Sequence, residues 1–190
     1  MGKEFELKYA AAHREILKGI ELLLGCEAEI IKMSTTYYDT KDAALSKRKW
    51  TLRLRQENDD HVVTFKTAGD GRIRGEWEYH ADTVEFAAET LVDLGAPEEL
   101  AELLADGVEP VCGAKFTRRA ITAETEGAVL EVALDEGKLF REDREKPFCE
   151  VEVELKQGRE EAAVAFAKGL AEQFGLVEEK KSKFVRAVNL

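Results

Sequence analysis

The chain has few of the residues from which nucleophilic and zinc-dependent active sites are built. Its 190 residues include three histidines and three cysteines. The histidines lie far apart in the sequence, which leaves little from which to build a zinc site or a histidine-based triad. The cysteines are odd in number and show no CxxC spacing, so we expect reduced thiols in a cytoplasmic protein.

Long hydrophobic runs and an excess of basic charge are also missing. The longest unbroken apolar stretch is a few residues, far below the roughly 20 needed to span a bilayer. The amino terminus lacks the apolar core of a secretory signal. Acidic residues outnumber basic ones 39 to 28, for a net charge of −11, whereas nucleic-acid binding needs a basic surface. We therefore expect neither a membrane nor a nucleic-acid partner.

Charge is abundant instead, and much of it alternates with apolar residues. Charged side chains make up 35% of the chain. A period of two predicts β-strands, because successive side chains point to opposite faces. In residues 149–155, for example, Glu150, Glu152 and Glu154 share one face. The predicted strands cover residues 4–9, 50–55, 62–67, 73–79, 115–123, 129–135 and 149–155.

Helical spacing is less common and falls between or after the strands. Residues 11–24 and 159–174 carry apolar stripes that end at a glycine, as helices often do. Residues 86–105 predict a helix that is broken around Gly95 and Pro97. The class is therefore α+β, with antiparallel strands and flanking helices, in one domain over residues 1–190.

The charged strand faces allow two interpretations. Such a face is usually the solvated side of a one-sided sheet. However, the opposite faces carry large apolar side chains that the helices would cover, and seven or eight strands suffice to close a barrel. If the charged faces lie inside a barrel, their arginine and lysine side chains would bind a polyanion. Their carboxylates would bind a hard divalent cation. Periodicity alone leaves both interpretations open.

The order of the charged motifs resembles that of the CYTH superfamily, the triphosphate tunnel metalloenzymes. The first motif, Glu4-Phe5-Glu6-Leu7-Lys8, is similar to the family's ExExK signature. The resemblance covers essentially the whole chain. The further motifs are Tyr37-Tyr38-Asp39-Thr40, Leu52-Arg53-Leu54-Arg55, Thr64-Phe65-Lys66, Arg74-Gly75-Glu76, the segments 130–135 and 149–155, and Ser182-Lys183.

The resemblance implies an eight-stranded antiparallel β-barrel, or tunnel, that acts on a linear triphosphate with Mg²⁺ or Mn²⁺. The motifs look most like those of the bacterial inorganic triphosphatases, which implies hydrolysis of tripolyphosphate to pyrophosphate and phosphate. The alternatives are a nucleoside or thiamine triphosphatase, a class IV adenylate cyclase and a non-catalytic polyphosphate-binding module. A monomer or a homodimer is expected.

The resemblance also implies a role for individual residues. The metal ligands would be Glu4, Glu6, Glu152 and Glu154. The phosphate-binding residues would be Lys8, Arg53, Arg55, Lys66, Arg74, Arg118 and Lys183. The catalytic set would be Glu4, Glu6, Lys8 and Lys66. Further candidates for the tunnel lining are Glu76, Glu78, Glu131, Asp135, Glu150 and Arg186.

Two assignments stay open in the sequence. Arg118 and Arg119 point to opposite faces of their strand, so either one could face inward. Lys183 ends the charged segment 178–183, so the alternative interpretation is a surface lysine in a charged tail.

Overall fold

A computed structural model describes residues 2–69 and 73–190, with side chains over residues 5–69 and 75–190. The strands are β1 (Gly2–Ala10), β2 (Glu29–Asp39), β3 (Thr51–Glu57), β4 (Asp60–Lys66), β5 (Ile73–His80), β6 (Glu109–Thr125), β7 (Ala128–Arg141), β8 (Arg144–Gly158) and β9 (Val177–Glu178). The helices are α1 (Arg14–Leu24), α2 (Ala44–Lys47), α3 (Ala87–Asp93), α4 (Glu99–Leu103), α5 (Glu160–Phe174) and α6 (Lys183–Val188).

The strands form one antiparallel sheet in the order β5-β4-β3-β2-β6-β7-β8-β1-β9. Strand β1 divides its pairing along its length. Residues 2–5 pair with β5, and residues 6–10 pair with β8. The sheet therefore curves strongly, and its concave side faces inward.

The expected closed barrel of eight strands is corrected to a curved sheet of nine strands. The ninth, β9, has two residues and pairs with Tyr9 and Ala10. Strand β9 therefore pairs with β1 at these two positions, and β5 pairs with β1 over only four residues. A two-residue strand has no readable period, which is why alternation did not reveal it.

Helices cover the convex side of the sheet, as the apolar stripes predict. Helices α1 and α5 pack on β1, β6, β7 and β8, with Leu17, Ile20 and Leu170 in the shared core. Helices α3 and α4 cover β3, β4 and β5, where Phe65 and Leu100 are fully buried. None of the helices in the described ranges is both long and apolar enough to cross a lipid bilayer.

Two elements that matter for the concave side were not predicted. Strand β2 turns Ile31, Met33 and Tyr37 inward, and because these residues are uncharged the strand lacks the charged alternation of the others. Helix α6 follows a charged segment that resembles a surface tail, yet its Lys183 and Phe184 are buried. Its apolar side packs on β6 and β7, so it is a short helix formed by tertiary packing.

Candidate active site

The concave side of the sheet encloses a charged cavity of about 320 Å³. Its lining comes from eight strands and from the start of α6. The charged faces that the sequence predicted therefore line an interior space instead of an open outer surface. The predicted site residues in the lining are Glu6, Lys8, Arg53, Arg55, Lys66, Glu76, Glu78, Arg118, Glu131, Glu152, Glu154 and Lys183.

Strand register places three glutamates from different strands side by side. Glu6 on β1 lies opposite Glu154 on β8, and Glu154 lies opposite Glu131 on β7. Side chains of directly opposed residues start about 4.5–5.5 Å apart at Cβ. We call Glu6, Glu131 and Glu154 the carboxylate row. Lysines neutralise part of its charge, since Lys8 lies 3.4 Å from Glu6, and Lys156 lies 2.8 Å from Glu154 and 3.5 Å from Glu131.

A second group of charges is more deeply buried, and we call it the ionic network. Arg118 donates two hydrogen bonds of 2.8 Å to the Asp135 carboxylate and one of 2.5 Å to Glu152. The members of the ionic network are Arg118, Asp135, Glu150, Glu152, Lys183 and Arg186.

Helix α6 supplies two cations to this ionic network. The Nζ atom of Lys183 lies 2.7 Å from Glu152 and 2.8 Å from Asp135, and it also contacts Glu150. Arg186 contacts the same Glu150 carboxylate. Lys183 also lies 5.1 Å from the centroid of the Phe116 ring. The network thus matches three carboxylates with three cations, as buried charges require.

The pKa values of Lys183 and Glu152 reflect this matching, whereas burial dominates at Glu150. Burial alone would lower the pKa of Lys183, but Asp135, Glu152 and Glu150 raise it well above its usual value. Burial alone would raise the pKa of Glu152, but Lys183 and Arg118 hold it well below its usual range. Burial raises the pKa of Glu150 to about 7, with Lys183 acting in the opposite direction.

The basic residues of β3 and β4 form what we call the arginine wall: Arg53, Arg55 and Lys66. The Nη2 atom of Arg53 lies 3.9 Å from Glu76, beyond hydrogen-bond distance, whereas Lys66 lies 3.1 Å from the same carboxylate. Among the described side chains, the Nε atom of Arg53 is buried and has no hydrogen-bond partner, whereas the Nε atom of Arg55 contacts Glu57.

Arg55 keeps its charge in this setting. It contacts Glu57 and lies 3.9 Å from Glu78. Burial, together with Arg53, lowers the pKa of Arg55 to about 10, so the guanidinium is still cationic at neutral pH. The unsatisfied buried donor of Arg53 is costly, and an anion that enters the cavity would satisfy it.

Two sets of carboxylates have the chemistry to hold a divalent metal. Oxygens of Asp135, Glu150 and Glu152 lie within 4.8 Å of one another, and these residues contact cations of the ionic network, as the carboxylate row contacts Lys8 and Lys156. The carboxylate row offers hard oxygen donors on the cavity wall itself. Such donors fit Mg²⁺ or Mn²⁺, so the residues present are compatible with the metal that the resemblance implies.

The structure settles the first open assignment. Arg118 points into the cavity, while Arg119 points to the convex side and lies 3.5 Å from Glu21 of α1. Asp135, Glu150 and Arg186 lie behind the cavity wall in the ionic network. The backbone pairs Glu4 with Arg74, but the side chains of these two predicted residues lie outside the described part of the structure.

The surface-lysine interpretation of Lys183 is wrong, because the residue is 8% exposed and contacts three carboxylates. Sequence reasoning also missed several residues of the cavity lining. Glu57 and Lys156 continue the charged alternation of their strands by one more step and were detectable in that way. Phe116 and Phe184 gave no such signal, since apolar residues were assigned to the opposite faces.

Comparison with known proteins places this geometry in a family. The sequence profile of the CYTH domain matches residues 2–188. An inorganic triphosphatase from Haemophilus influenzae is 30% identical over 163 residues, which are 83% of this chain and 46% of that protein. This chain therefore spans about half the length of that curated relative.

Solved structures share the fold at lower identity. A proposed adenylyl cyclase from Hippeastrum with a dominant triphosphatase activity superposes with a TM-score of 0.68 at 17% identity, covering 98% of this chain and 95% of that one. A proposed adenylate cyclase from Bacillus halodurans gives 0.66 at 19% identity, with 98% of each chain covered. With the profile match over nearly its full length, the chain belongs to the CYTH family.

Proposed function

We propose that the protein is a metal-dependent inorganic triphosphatase that converts tripolyphosphate and water to pyrophosphate and phosphate. The observation that carries this proposal is the arginine wall, where three cations line a polar cavity and the buried Nε atom of Arg53 has no hydrogen-bond partner. The similarity to the Haemophilus influenzae inorganic triphosphatase supports the choice of substrate. The single domain and the cytoplasmic location remain predictions.

The basic residues of the cavity are proposed to bind phosphate oxygens. Arg53, Arg55 and Lys66 would hold one part of the triphosphate, and Lys8 would hold another. Arg118 and Lys183 line the cavity as well, although their contacts with carboxylates mean that they would share their hydrogen bonds with the substrate. Charge-assisted bonds to phosphate fix position as well as affinity.

The metal ligands are proposed to be Glu6 and Glu154, with Glu4 and Glu152 from the neighbouring positions of the same strands. A bound Mg²⁺ or Mn²⁺ would neutralise phosphate charge and promote the ionisation of water. Glu131 faces Glu154 and would complete the carboxylate row.

The chain's own residues would position the reactants without forming a covalent bond to them. Phosphoryl transfer depends mainly on alignment and charge neutralisation. The cations hold the triphosphate in the cavity, and a carboxylate of the row accepts the proton from the attacking water. The scattered histidines and cysteines have no part in this mechanism, which needs no protein nucleophile.

The proposal is tested by measuring phosphate release from tripolyphosphate, ATP and thiamine triphosphate, each with Mg²⁺ or Mn²⁺. We expect tripolyphosphate to have the highest kcat/KM. Turnover should be lost in Glu6→Gln, because an amide is a poor ligand for Mg²⁺. It should persist in Glu124→Gln, a matched change on an exposed position of β6.

Three results would redirect the assignment. Production of cyclic AMP from ATP would favour a cyclase. Binding of tripolyphosphate without any release of phosphate would favour a non-catalytic polyphosphate-binding module. Full activity in Glu6→Gln would remove the carboxylate row from the mechanism.

A further inference from the structure

Helix α6 inserts an aromatic residue into the end of the cavity formed by β2 and β6. Phe184 is 6% exposed, and its ring centroid lies 5.2 Å from that of Tyr37 on β2. Both rings are part of the cavity lining. The next residue, Val185, faces outward and is 39% exposed, so only one side of the helix contributes to the cavity.

The surroundings of Phe184 are the main apolar part of an otherwise charged cavity. We call this part the aromatic end, and its members are Met33, Tyr37, Phe116 and Phe184. Each of the four is less than 10% exposed, which means that the side chains fill this end by packing against one another. Little of their surface is therefore left on which a ligand could stack.

The ionic network and a backbone contact hold Phe184 in place. Lys183 and Arg186 flank it on α6, and both contact the buried Glu150 carboxylate. Arg141 of β7 donates a hydrogen bond to the carbonyl of Val188 at the end of the helix. The Phe184 ring is thus fixed at both ends of the helix, and moving it would break buried ion pairs.

This arrangement bears on which triphosphates bind well. An organic ring attached to a triphosphate gains stacking affinity when the site offers it an apolar or aromatic surface. The aromatic end is the part of the lining with that character, and Phe184 occupies it. Elsewhere the lining residues are mostly charged, so a base or thiazole ring would have polar groups around it.

Resting on the proposed function, we propose that Phe184 is a specificity-determining residue that favours a bare triphosphate over one with an organic substituent. Its ring fills the space in which such a substituent would otherwise stack. Removing the ring while keeping the cations should therefore improve the binding of organic triphosphates and leave tripolyphosphate binding nearly unchanged.

The test compares Phe184→Ala with Val185→Ala, a matched truncation on the exposed side of the same helix. Dissociation constants for tripolyphosphate and ATP are measured by titration calorimetry with and without Mg²⁺. We expect the preference for tripolyphosphate over ATP to fall about tenfold in Phe184→Ala, which is in the range that stacking of one base supplies. Val185→Ala should keep the wild-type preference within about twofold.

An unchanged preference in Phe184→Ala, with wild-type circular dichroism, would overturn the inference. If the truncation lowers the thermal midpoint enough to loosen α6, Phe184→Leu keeps an apolar side chain and should show a smaller shift in the same direction. Failure of Phe184→Leu to shift the preference would then overturn it.

The test separates this inference from the proposed function. A wild-type protein that binds tripolyphosphate more tightly than ATP but releases no phosphate contradicts the proposed function and leaves the inference standing. A wild type that hydrolyses tripolyphosphate yet binds ATP equally well or better contradicts the inference alone. Absence of binding to either ligand under both conditions contradicts both.

Discussion

The ionic network and the arginine wall both bury cations beside the same cavity, but every cation of the network contacts a carboxylate closely, whereas the Nη2 atom of Arg53 lies 3.9 Å from Glu76. Arg118 makes three hydrogen bonds to Asp135 and Glu152. Arg53 keeps a buried Nε atom without a hydrogen-bond partner; Arg186 of the network has such an Nε atom too, but its Nη2 atom contacts Glu150. A buried cation that has carboxylate partners stabilises the fold. A buried cation with incomplete partners lowers the stability of the free protein until an anion binds to it.

The difference originates in the strand register. Arg118 on β6 lies directly opposite Asp135 on β7. Arg53 on β3 lies opposite Tyr37 on one side and Thr64 on the other. Neither neighbour carries a charge, so the partner of the guanidinium has to come from a more distant strand or from a ligand. The same alternating pattern in sequence thus produces a structural ion pair in one place and a candidate binding group in another.

The largest effect should come from removing a cation of the ionic network. Lys183→Met leaves three buried carboxylates with two cations, and breaking a buried pair in this way costs about 3–5 kcal/mol. Urea unfolding monitored by circular dichroism measures the loss. Lys180→Met, at an exposed position shortly before α6, should change the free energy of unfolding by less than about 0.5 kcal/mol. Equal effects in the two variants would show that the network does not stabilise the fold.

The arginine wall should behave in the opposite way. Arg55→Ala should weaken tripolyphosphate binding by about 1.5–3 kcal/mol, roughly 10- to 150-fold, because a charge-assisted bond to phosphate is lost. Its free energy of unfolding should fall far less than that of Lys183→Met. Arg144→Ala, an exposed arginine on β8, serves as the control in calorimetry and urea unfolding. Unchanged KM and kcat in Arg55→Ala would exclude this residue from the site.

The network should also give stability a characteristic dependence on pH. Burial alone would raise the pKa of Glu152, but Lys183 and Arg118 lower it well below its usual value. A lowered native pKa contributes stability that is present above the unfolded value, about 4.3, and is lost as the pH falls through the native value. The free energy of unfolding, measured with a chelator present, should therefore decrease below about pH 5. The decrease should be shallower in Glu152→Gln. If the free energy of unfolding falls equally steeply with pH in the variant and the wild type, Lys183 and Arg118 do not stabilise the fold through the Glu152 carboxylate.

The smallest effect is expected at Arg119, which follows Arg118 in the sequence but points to the opposite face of β6. Arg119 pairs with Glu21 at 3.5 Å on the convex side, where both side chains are partly exposed. Arg119→Ala should cost less than about 1 kcal/mol of unfolding free energy and should not alter substrate binding. Arg118→Ala should lower both stability and affinity. Similar results for the two variants would mean that strand orientation does not separate their roles.

Alternation and the family resemblance together identified most of the charged cavity from sequence. A period of two fixes which residues share a face, and the order of motifs indicated that this face is the inner one. The choice between Arg118 and Arg119 depended on which face β6 turns inward, and their two positions look alike in sequence. Strand β2 and helix α6 escaped detection because one is uncharged on its inner side and the other depends on burial against β6 and β7.

The partners of each charge were also beyond the reach of sequence reasoning. Glu150 and Lys183 are 33 residues apart, and only the folded sheet shows that they meet. Likewise, Arg53 lies between two leucines and Arg118 between Thr117 and Arg119, and neither setting indicates the partner that the strand register supplies. Pairing between distant strands is a property of the assembled sheet.

We propose that the arginine wall binds a polyanion. A crystal structure of the protein with tripolyphosphate and Mn²⁺ tests this most directly. We expect phosphate oxygens within hydrogen-bond distance of the guanidinium groups of Arg53 and Arg55, with Mn²⁺ bound to Glu6 and Glu154. We also expect Arg118 to keep its contacts with Asp135. A tripolyphosphate bound outside the cavity, with both guanidinium groups unchanged, would contradict the proposal.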